Sequence, residues 1–516
     1  MTPNRHDLDH AAAGQLRHTA SSGRARRRRT YRAPARLRRT SRGYAGVGGG
    51  RWGIMPAPAV HVSSSVQVCG LWPFPVGAPR PASGVPLGVD LDSSSQVCCD
   101  PITWFKLGLI SNPSAFVYGL PGHGKSSLAG RWILGLADRG TPSLVLGDLK
   151  PDFRELIGTS EEDGGLGGVV LSVGPGAGTF NPLDLGALRD AADRIGGQVG
   201  VELLALATSK AVDLMIVLAT ITRGKPLEDY EETLLAVAIA LTYTLTPKPN
   251  LHTLVDVLQS GRPELLQAAV SDSEAGYLRD TRTLMRTLRS MLEGPMGEVF
   301  GADTTTAFPL DTPGGVCVDI SALSKAPKKL LAAVLVATWT HGFLSVDAHW
   351  ELAQAGLAEW RGFLIVLDEL WKAMGVAPGL VELIDQLTRT NRADGVGDVK
   401  ISHSPKDAQA LPNEVDRITA AGFAERAGMV ALFGLSRQDL EALNGTSVEL
   451  SQNEIDTVTS WRSPRSMRAR RRQSQKPLPP PGAGKVLLKL GGAPGIATKI
   501  VLTAAEHALH DTNQRW

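Results

Sequence analysis

One stretch constrains this chain more than any other: "VYGLPGHGKSSLAG", Val117 to Gly130. Gly119, Gly122 and Gly124 let the backbone turn successive N–H groups inward around an anion. Lys125 adds a positive charge, and Ser126 and Ser127 add hydroxyls. The preceding run "NPSAFVYGL" is short, apolar and led by proline, which predicts a buried strand. The following residues, from Lys125 to about Asp138, predict a helix closed by Gly140 and Pro142. A strand, a tight loop and a helix in that order place the anion on the helix N-terminus. They also demand a sheet covered on both faces, and so an α/β fold. The backbone of Gly119, Pro121, Gly122, His123, Gly124, Lys125, Ser126 and Ser127 is expected to wrap the phosphates of ATP. Lys125 neutralises their charge and the Ser126 hydroxyl binds Mg²⁺.

The rest of the chain divides by composition. Of 516 residues, 43% are hydrophobic and 20% charged, ordinary values for a globular protein with several domains. The net charge of +3 hides two basic runs, Arg24–Arg42 and Trp461–Arg472. Residues 1–55 carry arginine, alanine and glycine but few large apolar groups, which predicts a disordered tail. Residues 56–112 alternate polar and apolar positions between prolines and glycines, a small β region leading into the core. Residues 113–187 hold the phosphate loop and two more strands, "PSLVLGDLKPDF" and "GGVVLSVG". From 188 to 300 the period turns helical. Tyr277, Leu278, Thr281, Leu284, Met285, Leu288 and Leu292 share one face there, and Arg279, Arg282, Arg286 and Arg289 the other. Strand patterns return over 301–460 in "GGVCVDIS", "GFLIVLDEL" and "DVKISHS". A basic, proline-rich linker covers 461–484, and 485–516 reads as two strands and a helix packed on the core. The expected fold is therefore a mainly parallel, doubly covered sheet interrupted by an all-helical insertion.

Cys69, Cys98, Cys99 and Cys317 form no CxxC pair, which fits a reduced cytoplasmic setting. The N-terminus has arginines but no apolar core of a signal peptide. The most apolar run, Leu330–Val346, is interrupted by Thr338, Thr340 and His341 and falls short of the roughly 18 clean apolar residues of a span. No direct membrane span is expected.

Three further features carry chemistry. "FLIVLDELW" ends an apolar strand in Asp368 and Glu369. The C-terminal ends of parallel strands open onto the ligand crevice. Asp368 there is expected to hold the Mg²⁺ shell, and Glu369 to activate a water for attack on the γ-phosphate. "ISHSPKD" ends the next strand with His403, a candidate to contact the γ-phosphate. Arg392, with Arg389 beside it, is a candidate arginine finger toward a neighbouring subunit; Arg417, Arg426 and Arg437 are alternatives. Few aromatics adjoin the basic runs, which argues against a stacking platform for single strands.

Taken together, "FVYGLPGHGKSSL", "LVLGDLKPDFREL", "FNPLDLG", "VCVDISAL", "GFLIVLDELWKAM", "TRTNRADGVGDVKISHSPKD" and "LTAAEHALHDTNQRW" resemble the VirB4/TraG-type ATPases of conjugation and type IV secretion, within the HerA/FtsK group of ring motors. The resemblance covers roughly residues 62–516. It implies a RecA-like P-loop ATPase forming a homo-oligomeric ring, hexameric in kind. The ring would sit at the cytoplasmic face of the cell membrane with membrane-embedded partners, and would move DNA or protein. The alternatives are a VirD4/FtsK-like coupling protein that pumps duplex DNA and a nucleotide-gated assembly protein with little turnover. The family's phosphate-binding lysine and hydroxyl fall on Lys125 and Ser126, and its acidic pair on Asp368 and Glu369. Its polar sensor is commonly glutamine, where this chain has His403.

Overall fold

A computed structural model describes residues 38–40, 43–45, 81–246, 248–305, 307–309, 312–377, 379–389, 395–446, 448–463 and 480–509. The chain forms two units, Met1–Pro75 and Val76–Trp516. In the first, β1 (Arg38–Thr40) pairs antiparallel with β2 (Gly43–Ala45), a local element that the arginine-rich composition did not announce. The strand expected in "HVSSSVQVCGLWPF" lies outside the described residues.

The second unit is built on one sheet of 11 strands. In chain order these are β3 (Pro86–Asp90), β4 (Gln96–Cys98), β5 (Ser114–Tyr118), β6 (Ser143–Asp148), β7 (Val169–Ser172), β8 (Val316–Asp319), β9 (Phe363–Leu367), β10 (Val396–Ser402), β11 (Met429–Leu432), β12 (Lys485–Lys489) and β13 (Ile496–Ile500). Their spatial order is β4-β3-β13-β12-β11-β5-β10-β9-β6-β8-β7. From β11 to β7 every pairing is parallel. From β11 through β12, β13 and β3 to β4 every pairing is antiparallel. The short strands expected ahead of the core are β3 and β4, and they extend this same sheet through β13.

The parallel strands read as unbroken apolar runs because both faces are covered. Alternate residues enter different cores. Phe116, Tyr118, Leu144, Leu146, Ile365 and Leu367 face one; Ala115, Val117, Val145, Leu364 and Val366 face the other. The second face is covered by the helix Lys125–Ala137 through Leu128, Trp132, Ile133 and Leu136. The first is covered by the helix Lys328–Gln354, whose Trp339 indole donates to the Leu146 carbonyl at 2.8 Å.

That helix contains the apolar run Leu330–Val346, and Thr338, Thr340 and His341 are all buried within the protein. It and the helix Gly197–Arg223 are both long and apolar enough to cross a membrane, with mean hydropathies of 1.4 and 1.8. The sequence expectation recognised neither as a span. In the most apolar 18-residue stretch of the first, 94% is buried, and it is accounted for as the core helix of the sheet; in that of the second, 44% is buried.

The helical insertion lies between the neighbouring strands β7 and β8. It begins with the helix Gly186–Ile195 and ends with Gly297–Phe300. The segment expected as one helix from Tyr277 divides into Glu274–Asp280 and Arg282–Glu293, with Thr281 as the junction. The break turns Leu278 outward to 55% exposure, while Tyr277, Thr281, Leu284 and Leu288 are buried. Arg279, Arg282, Arg286 and Arg289 all lie exposed.

Candidate functional site

The phosphate loop follows β5, all five of whose residues are buried. Gly122 and Gly124 have φ of +77° and +107°, where a side chain would strain the backbone. Gly119 is required for a different reason. A Cβ there would lie 2.5 Å from the Cβ of Phe433, the residue following β11. Gly124 caps the helix that starts at Lys125, so the loop's N–H groups and the helix end face one space. Pro121 and Gly122 are exposed at the rim, and Ser127 is half-buried. His123 is buried with its ring against Gly434, and its carbonyl accepts from the Gly484 N–H at 2.8 Å. Its N–H in turn donates to the Leu120 carbonyl at 3.4 Å, so both of its backbone groups are engaged within the protein.

Lys125 is buried and donates to the Gly119 carbonyl at 2.6 Å, with His403 Nδ1 at 3.2 Å. The Ser126 hydroxyl donates to Asp152 Oδ2 at 2.6 Å. Asp152 belongs to the loop after β6. The buried Asp148 carboxylate shapes that loop by accepting from the N–H groups of Asp152, Phe153 and Arg154 at 2.9, 2.8 and 3.0 Å. Asp148 thus closes a tight turn that presents Lys150 and Asp152 to the crevice.

Asp368 and Glu369 follow β9, and both are buried. Glu369 has a φ of +53°, a left-handed conformation that costs a non-glycine residue about 1–2 kcal/mol. Its N–H bonds Asp368 Oδ1 at 2.8 Å, which holds the turn. Glu369 Oε1 meets Lys150 Nζ at 2.6 Å. Oε2 faces Lys372 Nζ at 3.5 Å and His403 Nε2 at 3.7 Å. The loop after β10 is fixed by Asp407, which accepts from the Ser402 hydroxyl at 2.7 Å and the His403 N–H at 3.2 Å.

The strand order explains this convergence. β10 lies between β5 and β9, so the acidic pair is one strand removed from the phosphate loop and His403 bridges the gap. Its two ring nitrogens face Lys125 on one side and Glu369 on the other.

The electrostatics record strain of charge. Burial pushes Lys125 down to about 8, although the charges of Asp368 and Glu369 oppose the shift. Burial, then the charge of Glu369, pushes Asp368 up to about 7. Glu369 is also buried, but the hydrogen bond and charge of Lys150, with Lys372 and His403, outweigh burial and hold it below its ordinary value. His403 is lowered by burial and then by Lys125. A phosphate beside Lys125 and a divalent cation beside Asp368 would relieve both displaced groups. Glu369 Oε2 is moreover buried without a hydrogen-bond partner. These residues fit Mg²⁺ and a nucleoside triphosphate: Ser126 and Asp368 would hold the cation, and the loop and Lys125 the phosphates.

Arg392 lies outside the described residues, as does the side chain of Arg389. Arg417 donates to the carbonyls of Leu411 and Pro412, Arg426 pairs with Asp385, and Arg437 pairs with Asp456. Each alternative finger is thus engaged within its own chain. Sequence reasoning missed Lys150, Asp152 and Lys372 as members of the site and Phe433 as the wall behind Gly119. The signal for the first two was the text "GDLKPDF", two charged residues within four positions of a strand-ending aspartate.

The sequence matches no known family model, and no curated protein matches it. Among solved structures, the chain is similar to VirB4 of Thermoanaerobacter pseudethanolicus, with 20% identity and a TM-score of 0.57. The match covers 83% of this chain and all of that one. It is also aligned with the plasmid coupling protein TrwB in complex with ADP and Mg²⁺, at 14% identity and a TM-score of 0.45 over 84% of this chain and 93% of that one. This chain has the fold of the VirB4 structure. That fold has the mainly parallel, doubly covered sheet with a helical insertion that the sequence pattern leads one to expect.

Proposed function

We propose that this chain is an ATP-hydrolysing motor subunit of a conjugation or type IV secretion apparatus, working as a homo-oligomeric ring at the cytoplasmic face of the membrane. The observation that carries the reading is the convergence of Lys125, Asp368, Glu369 and His403 at the ends of β5, β9 and β10. The fold shared with VirB4 and the motif text quoted above support the assignment to secretion.

In this reading the loop from Gly119 to Gly124 orients the triphosphate of ATP and Lys125 balances its charge. Ser126 and Asp368 hold Mg²⁺, which when bound neutralises charge developing on the phosphate oxygens. Glu369 accepts a proton from the attacking water, and His403 spans the space between that carboxylate and Lys125, where it orients the terminal phosphate. Arg392 of a neighbouring subunit is the candidate to complete the site. Glu369→Gln should keep ATP binding and slow hydrolysis by about 10²–10⁴-fold, the usual worth of a general base. Turnover of that variant at the wild-type rate would remove Glu369 from the mechanism.

A second reading, a coupling motor acting directly on duplex DNA, is favoured by the exposed Arg279, Arg282, Arg286 and Arg289. It requires salt-dependent duplex binding and hydrolysis stimulated by DNA.

A further inference from the structure

The ion pair between Lys150 and Glu369 has no part in the mechanism just described and contradicts its working state. A general base needs a free lone pair directed at water. Here Oε1 of Glu369 is bound by an ammonium group at 2.6 Å, and Oε2 is turned toward Lys372 and His403. While Lys150 holds Oε1, the lone pair it occupies cannot take a proton from water, and Oε2 has no hydrogen-bond partner of its own.

The two ends of Lys150 differ in freedom. Its backbone belongs to the turn that Asp148 closes through three N–H groups. Its side chain is 53% exposed, on a flexible four-carbon stem, whereas Glu369 is 3% exposed and held in a left-handed turn. Of the two partners, only the lysine can leave. Its ammonium group meets Glu369 at 2.6 Å, and His403 links that carboxylate to Lys125 at 3.7 and 3.2 Å, so it faces the same crevice as the loop. A terminal phosphate is a stronger partner for an ammonium group than a single carboxylate, because several oxygens share more charge.

Resting on the reading of this site as one for ATP, we propose that Lys150 is a triphosphate-sensing positioning residue. It clamps Glu369 in the resting chain and transfers to the terminal phosphate when ATP binds, which releases the base. A diphosphate, having no γ-phosphate to offer, leaves the clamp closed.

The test measures binding of ADP and of a non-hydrolysable ATP analogue, with Mg²⁺, to the full chain and its Lys150→Met, Lys150→Arg, Glu369→Gln and Lys150→Met/Glu369→Gln variants. Thermal melting checks that each is folded. Lys150→Met should weaken the analogue about 10-fold or more, the loss of one charge-assisted hydrogen bond, and leave ADP within about 2-fold. Lys150→Arg should restore the preference. Glu369→Gln frees Lys150 beforehand, so it should tighten the analogue without affecting ADP, and that gain should vanish in the double variant. Equal effects on the two nucleotides, or no effect on either, overturn the clamp and leave the ATPase reading intact. A wild-type chain that binds neither nucleotide overturns both. Should Lys150→Met fail to fold, the Glu369→Gln comparison decides alone: unchanged discrimination refutes the transfer.

Discussion

Replacing Asp368 by asparagine should stabilise the nucleotide-free chain, by an amount that grows with pH. Asp368 is buried beside Glu369, and its carboxyl is pushed up from the ordinary 3.8 to about 7. The raised value means that the folded chain holds this proton more tightly than the unfolded chain does. The stability it brings is fully present below about pH 4 and is lost as the pH rises to about 7. That interval corresponds to about 4 kcal/mol, of which about 3 kcal/mol falls above pH 5. Asparagine keeps the shape and carries no charge. Urea denaturation in chelator, without nucleotide, measures the stability of wild type and Asp368→Asn at several pH values. The advantage of the variant should widen by about 3 kcal/mol between about pH 5 and pH 8. An advantage that does not change with pH, or none at all, would refute the claim that a buried, ionised Asp368 strains the empty site. Adding Mg²⁺ with an ATP analogue should narrow the gap, because the cation then stabilises the wild-type carboxylate alone.

Other expectations follow from the same geometry. Gly119→Ala should destabilise the chain by about 1–3 kcal/mol and weaken nucleotide binding, since its methyl would lie 2.5 Å from the Phe433 Cβ; wild-type melting and affinity would contradict this. Arg223 and Glu231 form a buried pair at 2.5 Å in the helical insertion. Arg223→Met should therefore cost about 3–5 kcal/mol by stranding Glu231, and Arg223→Met/Glu231→Leu should regain much of it, as denaturation will show. Alanine at Arg279, Arg282, Arg286 and Arg289 together should leave melting and basal hydrolysis unchanged. If the basic stripe touches DNA, the quadruple variant also flattens the salt dependence of duplex binding.

Much of the site was legible because its chemistry is local. The phosphate loop is a contiguous run whose glycines, lysine and serine must occur in that order. Asp368 and Glu369 end an apolar strand, and the end of a buried parallel strand is where acids can reach a ligand. The strand β11 escaped notice, although "MVALF" between Gly428 and Gly434 is apolar and bounded by glycines. Five residues of apolar text do not distinguish a strand from a buried helix turn. Thr281 was read as part of one continuous face, yet the helix is interrupted there, with Tyr277 and Thr281 buried and Leu278 exposed. Lys150 and Lys372 have no part in the sequence reading; their place in the site depends on Glu369, which lies far from Lys150 along the chain.

The amino-acid sequence by itself determined that a sheet covered on both faces carries a glycine-rich loop with Lys125 after one strand and paired acids after another. Each of those features is encoded by neighbouring residues through turn geometry, periodicity and charge. Only the tertiary structure decided that β10 enters between those strands, that His403 spans them, and that Lys150 closes on Glu369. Strand order and long-range ion pairs arise from packing between distant segments, and no local pattern records which segments will meet.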